Sequence, residues 1–506
     1  MKHRTMRLVF LLLAVMTALF LGACSMPTLS EAREAREAEE ALRQEYARTE
    51  LSLSAEDPED LAVLENYTQL RSLDLHGSRC YAEIEQYAAA HPEVEVRYSV
   101  KIGPGEPVSE LENTAEYAVL EEGRSVGILA RNTACFHAMK EIVIASPDFS
   151  QEDLSSLYAG FPKADIRFRI TNYLPETDPE TVTADLTALK AEDAEKAAAF
   201  LEKMLSLREV LLTPENGENL LSFREVRLLQ DARPEALFDY RFESFGQTVS
   251  TADEELEYLW AGIYNEGMEQ IRTMMPCMTR LKSLFFQYCE IDYDVLAQFR
   301  EEYPEVNIAW RVDFGPYSCR TDTERIFANG SLTGSMCYNL RYCNKVKYID
   351  MGHNDNLNSI DFVAFMPDLE IAIFAATSIW DISPLANHEK LWYLEIFVSN
   401  VYDVSPLASC PNLEHLNISC LFGLTDITPL YGLSSLKRLW NTCTSVPYYQ
   451  RQEIMERLPD CEFCFAYVES TGNYWRWNAD GSKNEIYAQV DEIFDYENFR
   501  DNLSWW

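Results

Sequence analysis

Three copies of one short phrase limit what this chain can fold into more than any other feature. They read DISPL from Asp381 to Leu385, DVSPL from Asp403 to Leu407 and DITPL from Asp426 to Leu430, at steps of twenty-two and then twenty-three positions. Each is followed by an apolar, strand-like run: LWYLEI from Leu391, LEHLNI from Leu413 and LKRLW from Leu436. A unit this short cannot bury its own apolar face. Such units must stack, and the stack leaves a broad surface free for a partner.

The same apolar pattern also starts at Val346 and Leu369, so a step of twenty-two or twenty-three positions holds from Val346 to Leu436. A period of about 20–29 residues with an L-x-x-L-x-L core is the signature of a leucine-rich repeat. Upstream the period lengthens. Similar runs start at Leu70, Met139, Leu207 and Leu281, roughly three times as far apart. Each is paired with a second kind of run that follows a proline and alternates, as in PEVEVRYSV from Pro92, PKADIRFRI from Pro162 and PEVNIAWRV from Pro304, with weaker copies after Pro234 and Pro459. Strict alternation is the period of a strand with one buried face. Helical stretches such as YDVLAQFREEY and YYQRQEIMERL lie between the two kinds. The proline ends each helix and opens the return strand. The shorter steps leave no room for a full α-helix, so D-I-x-P-L is expected to form a tight turn or a 3₁₀ segment.

The expected fold is α/β: a single elongated leucine-rich-repeat solenoid with parallel strands on a concave face, helices or 3₁₀ turns on a convex face, and a C-terminal cap. We divide it into long units over 61–340, short repeats over 341–465 and a cap over 466–506. The cap loses the period and holds Trp475, Trp477, Trp505 and Trp506. An open solenoid end needs such a cover.

The N-terminus reads as targeting. Lys2, Arg4 and Arg7 precede an apolar run from Leu8 to Leu21 that stops at LGAC, Leu21 to Cys24. A basic start, a short apolar stretch and small residues describe a secretory signal over 1–23. An ordinary signal peptide with a chance cysteine, or an uncleaved anchor, is the alternative. The apolar run is short for a membrane span, which needs about 20 residues. Residues 24–60 begin with EAREAREAEEALRQEYARTE after Ser30, a charged helix former that suits a tether or an N-terminal cap, and AEDPED ends it at a breaker proline.

The chain carries 43 Lys and Arg against 82 Asp and Glu, a net charge of −39. That argues against nucleic acid, because few cations are free to replace phosphate counterions. It also argues against polybasic contact with a membrane. A solvated acidic surface accounts for it. Seven scattered histidines form no H-E-x-x-H, and no G-x-S-x-G occurs. The run DMGHNDNLNSID, Asp350 to Asp361, lacks the glycine and the final glutamate of a calcium loop. Cys461 and Cys464 form a C-x-x-C inside a strand, where an offset of three sends the side chains to opposite faces. We expect no enzyme, cofactor or metal.

The candidate site is the strand face. Residues that alternate with the buried leucines point away from the core. Across successive repeats they include Tyr348, Ile373, Trp392, Tyr393, Glu395, Phe397, His415, Lys437, Arg438 and Trp440. Trp, Tyr and Arg are the side chains that dominate binding hot spots. The competing expectation is that a loop or the C-terminal tail covers Trp392 and Phe397. The position eight residues after each first leucine, where an asparagine ladder would satisfy the turns, is Asn354, Thr377, Ser399, Leu421 and Thr444, so the ladder is incomplete.

The DISPL, DVSPL and DITPL block resembles internalin-type leucine-rich repeats. LGAC resembles a bacterial lipoprotein signal, which implies that Cys24 becomes the first mature residue and carries a lipid. YPEVNIAWRVDFGPYSCRTD from Tyr303, the DISPL units, LPDCEF and the aromatic tail together resemble leucine-rich-repeat surface lipoproteins of Clostridia-type bacteria. The resemblance implies a non-catalytic protein on the extracytoplasmic face of a cell membrane, lipid-anchored, with a protein partner of host or self origin. The alternatives are a solute- or glycan-binding lipoprotein and an extracellular hydrolase.

Overall fold

A computed structural model of the chain describes residues 29–103, 109–214, 219–466, 471 and 474–496. The signal segment and Cys24 lie outside them. Two compact units follow each other, 1–241 and 242–506.

The first unit opens with the helix Leu29–Tyr46. Its end packs on the first repeat, with the Tyr46 and Tyr67 rings 5.2 Å apart. Three parallel three-stranded sheets follow: Glu50–Ser52 with Ser72–Asp74 and Glu95–Arg97, Tyr117–Leu120 with Glu141–Ile144 and Asp165–Phe168, and Thr183–Asp185 with Glu209–Leu211 and Leu237–Asp239. The strand Glu50–Ser52 therefore begins the repeats inside the stretch expected to be tether.

These triplets resolve the long period. Each long unit is three ordinary steps. In the first sheet Glu50 pairs with Ser72 and Ser72 with Glu95, in the second Tyr117 pairs with Glu141 and Glu141 with Asp165, and in the third Thr183 pairs with Glu209 and Glu209 with Leu237. Every one of these intervals falls within the length of a single leucine-rich repeat. Helices fill most of the steps, as in Gly123–Arg131 and Gln151–Gly160. The proline-led strand lies directly beside the leucine-led one. The first strand of each triplet has neither signature.

The second unit repeats the pattern with Glu255–Leu259, Ser283–Gln287 and Asn307–Phe314 in parallel, closed by an antiparallel Tyr317–Arg320. Then comes a seven-stranded parallel sheet: Arg325–Phe327, Tyr348–Asp350, Ile371–Ile373, Tyr393–Glu395, His415–Asn417, Arg438–Trp440 and Glu462–Cys464. Its middle row, Ile349, Ala372, Leu394, Leu416 and Leu439, is fully buried in the repeat core.

The D-I-x-P-L phrases form 3₁₀ turns, as expected: Ser383–Leu385, Ser405–Ser409 and Thr428–Gly432. The reason is local. The carboxylates of Asp381, Asp403 and Asp426 accept from the backbone N–H two residues on, at 2.8, 2.8 and 2.9 Å. Proline then occupies the start of the turn, where its missing N–H costs nothing. Ile382, Val404 and Ile427, with Leu385, Leu407 and Leu430, drop into the core.

One backbone feature recurs seven residues after the first leucine. Gly77, Tyr288, His353, Ala376, Val398, Cys420 and Cys443 all have positive φ, and Trp260, beside Tyr288 in the ladder, shares it. There the chain leaves the strand and bonds to the next repeat, as in His353 N–H to the Ala375 carbonyl and Val398 N–H to that of Ser419. A side chain in this left-handed region costs about 1–2 kcal/mol. The next position behaves as the sequence implied. Buried Asn354 makes three bonds of 3.0 Å or less to Leu332, Ala328 and Met351, Thr377 and Ser399 each donate one to a nearby carbonyl, and Leu421 has no such group to offer.

Together these features make the chain a leucine-rich-repeat protein of the α/β kind, with parallel strands joined by helices or 3₁₀ turns.

Candidate functional site

Two rows of side chains stand on the outer face of the seven-stranded sheet. Register places Arg325, Tyr348, Ile371, Tyr393, His415, Arg438 and Glu462 in one, and Phe327, Asp350, Ile373, Glu395, Asn417, Trp440 and Cys464 in the other. Seven of the ten expected site residues, Tyr348, Ile373, Tyr393, Glu395, His415, Arg438 and Trp440, thus share one face, and strand spacing of about 4.8 Å brings them into neighbourly contact.

They do not stand open to solvent. The described chain from Tyr474 to Tyr496 lies across this face. Its helix Glu485–Phe494 and Trp475 pack with Phe327, Ile371, Ile373, Tyr393, Phe397 and Trp440 into one apolar cluster. Seven of the ten expected residues are buried: Ile373, Tyr393, Glu395, Phe397, His415, Arg438 and Trp440. Tyr348 and Trp392 are half-buried, and Lys437 is exposed, paired with Glu414 at 2.7 Å. Of the two sequence expectations, coverage by the tail is the one observed.

The centre of the contact is Glu395, whose residue is fully buried. It accepts from the Trp475 indole N–H at 2.7 Å, from the Arg476 Nε at 3.1 Å, and from the Arg476 Nη2 and the Tyr393 hydroxyl. Burial opposes the charge on Arg476, but the Glu395 carboxylate more than offsets this and holds the guanidinium above its ordinary pKa. Trp475 sits between the Tyr393 ring at 5.6 Å and the Trp440 ring at 5.2 Å. Arg438 stacks on both tryptophans at 4.8 and 4.6 Å and donates to the Tyr474 carbonyl at 2.6 Å.

The tail then runs back toward the start of the sheet. Tyr496 donates to the Asp350 carboxylate at 2.6 Å, and Arg325 donates to the Ile493 carbonyl at 2.6 Å. Burial raises the Asp350 carboxyl above its usual range, against the lowering effect of the Tyr496 hydroxyl. His415 is pushed down to about 3 by burial, with Arg438 and Lys437 adding to the shift. Its ring packs against Trp392 at 5.7 Å and its Nδ1 has no partner among the described residues. A neutral imidazole with that pKa is a packing group at neutral pH.

One row of aromatic side chains that does face solvent lies on the turn that follows the left-handed residue. Trp380, Tyr402 and Phe422 are exposed there on consecutive repeats, and Val398, itself a left-handed residue, is exposed as well. Backbone bonds from Ser378 to Leu357, Asn400 to Ile379 and Ser445 to Leu424 hold these turns at repeat spacing. A Cβ on Gly423 would lie 3.3 Å from the Tyr402 Cβ, so the Phe422 turn rests on Tyr402. Sequence reasoning missed this row. Its signal was an aromatic eleven residues after the first leucine, at Trp380 and Tyr402.

Among the described residues, no group of three or more His, Cys, Asp or Glu stands close enough to hold a metal ion. No described helix is long and apolar enough to cross a membrane.

No protein-family model matches the chain, and no curated protein matches it. Solved structures similar to it include an internalin of Listeria monocytogenes, inlF, at 13% identity over 86% of each chain with a TM-score of 0.24. A leucine-rich-repeat protein of Leptospira interrogans matches at 13% identity, covering 84% of this chain and 98% of that one, with a TM-score of 0.23. The functional domain of InlJ from Listeria monocytogenes matches at 10% identity over 86% of this chain and 68% of that one, with a TM-score of 0.24.

Proposed function

We propose that this protein is a non-catalytic recognition module, anchored by a lipid on Cys24 to the extracytoplasmic face of a cell membrane, that binds a protein partner through its short repeats. The observation that carries the binding reading is the row Trp380, Tyr402 and Phe422. These are large, half or more exposed, and held on adjacent turns of a stiff ladder. Rigid exposed aromatics lose little freedom on binding, and Trp and Tyr recur at hot spots. A contiguous exposed apolar patch is otherwise a liability. The anchor reading rests on LGAC and its basic, apolar lead-in.

The test has two arms. The body from residue 29 onward is used as bait on intact cells, alone and as the Trp380→Ala, Phe422→Ala double variant. A specific partner should be retained by the first and weakened about thirtyfold or more by the second, which corresponds to about 2 kcal/mol. An equal yield from both places the binding face elsewhere. In the second arm, Cys24→Ala should abolish incorporation of labelled fatty acid. Persistent labelling rules out Cys24 as the anchor.

A further inference from the structure

The carboxyl ends of the parallel strands Glu255–Leu259, Ser283–Gln287 and Asn307–Phe314 surround a cavity of about 390 Å³. That is the size of a small-molecule site, and strand ends of parallel sheets are where such sites form. Its floor is apolar: Phe286, Ile291, Leu296 and Trp310 are all buried. Its mouth is aromatic and polar. Trp260 is 73% exposed and stacks on Tyr288 with ring centroids 4.1 Å apart. Arg311 lies 4.8 Å from the Tyr288 ring centroid. Carboxylates of Glu290 and Asp313 complete the rim, both on exposed residues.

We propose that this cavity binds a pyranose sugar of an oligosaccharide, independently of the protein-binding reading above. Three observations select that class. A flat, braced aromatic at the mouth suits the apolar C–H face of a sugar ring, while rim carboxylates accept from its hydroxyls. Trp310 lines the cavity, is 1% exposed, and its indole N–H has no acceptor among the described residues. A buried donor without a partner is costly, and a sugar oxygen entering the cavity would satisfy it. The third observation excludes the rival for aromatic cages, an organic cation. Guanidinium groups of Arg311 and Arg300 already lie over Tyr288 and Trp310, each at 4.8 Å.

Trp260 and Tyr288 sit at the left-handed turn position, where the fold elsewhere accepts Gly, Ala, Val, His or Cys. Nothing in the turn itself asks for two large rings side by side. Their exposure is explained by a ligand that lies against them.

The test is isothermal titration of the protein with cellotriose, triacetylchitotriose and mannotriose, with tetramethylammonium as the cationic comparison. We expect saturable binding of at least one trisaccharide. Trp260→Ala, a surface change, should weaken it tenfold or more. Trp310→Phe, which removes only the N–H and one ring, should also weaken it, with the thermal midpoint confirming a folded protein. The proposal is overturned if no trisaccharide saturates, if tetramethylammonium binds in their place, or if either variant leaves the affinity unchanged.

Discussion

Glu395 is an acid in the middle of an aromatic face, and the fold accepts it because four donors converge on its two oxygens. Breaking a buried pair by removing one charge typically costs about 3–5 kcal/mol, because the other charge is left uncompensated. Glu395→Gln should therefore lower the thermal midpoint and speed hydrogen exchange in Glu485–Phe494, while Glu395→Gln with Arg476→Met should recover much of the loss. Equal loss in single and double variants would mean the pair is incidental. His415 sets a pH dependence with a definite sign. Its folded pKa of about 3 lies below the ordinary 6.5. The folded state therefore holds the ring neutral while the unfolded chain takes up a proton. The stability it supplies is complete above about pH 6.5 and is lost progressively as pH falls toward 3, by on the order of 5 kcal/mol at most. Thermal midpoints measured from pH 7 to pH 4 should fall less steeply for His415→Phe than for the natural protein.

At the scale of elements, legibility followed how local the physics is. The D-I-x-P-L turns were readable because an aspartate cap, a proline and two core residues act within five positions. Asp403→Ala should thus cost about 1 kcal/mol, the value of a lost cap, and Leu407→Ala about 2–5 kcal/mol, the value of a buried leucine. Denaturant midpoints distinguish the two. A cap variant as damaging as the core variant would mean that the turn nucleates its repeat. The first strands of the second and third triplets were not readable. Tyr117–Leu120 and Thr183–Asp185 bury Ala118 and Ala184 where later strands bury Ile142 and Val210. With alanine in the core position the apolar period disappears. What remained to betray these strands was their regular partner-to-partner step, visible only once the neighbour is known.

Over the second unit as a whole, the alternating pattern identified which side chains share a face but not what lies on it. Contacts such as Arg476 to Glu395 and Arg325 to Ile493 join positions 81 and 168 apart, a separation at which no periodicity carries information. The one clue was chemical: LWYLEI places a carboxylate among rings, and such a group requires a cation from somewhere. Ending the chain after Ala466 should bare Phe327, Ile373, Tyr393 and Trp440 at once. We expect the shortened protein to bind a hydrophobic dye, self-associate in sedimentation, and unfold at lower temperature. A monomer with an unchanged midpoint would show that the tail is dispensable to the sheet.

The cover is also made after the sheet that it lies on. Synthesis adds only a handful of amino acids each second. The strands from Arg325 to Cys464 are therefore complete about one or two seconds before Trp475 exists and about two to six seconds before Tyr496 does. For that interval the nascent sheet presents its aromatic face with a buried-type acid at the centre and no cation to meet it. Long separations add little to the free energy of closure, since loop entropy grows only with the logarithm of length, but they delay it. The vulnerable moment of this protein therefore falls between the synthesis of the sheet and that of its cover. A chaperone that shields apolar sheet surfaces should be found on chains stalled near residue 466 and be absent from released chains that include the cover.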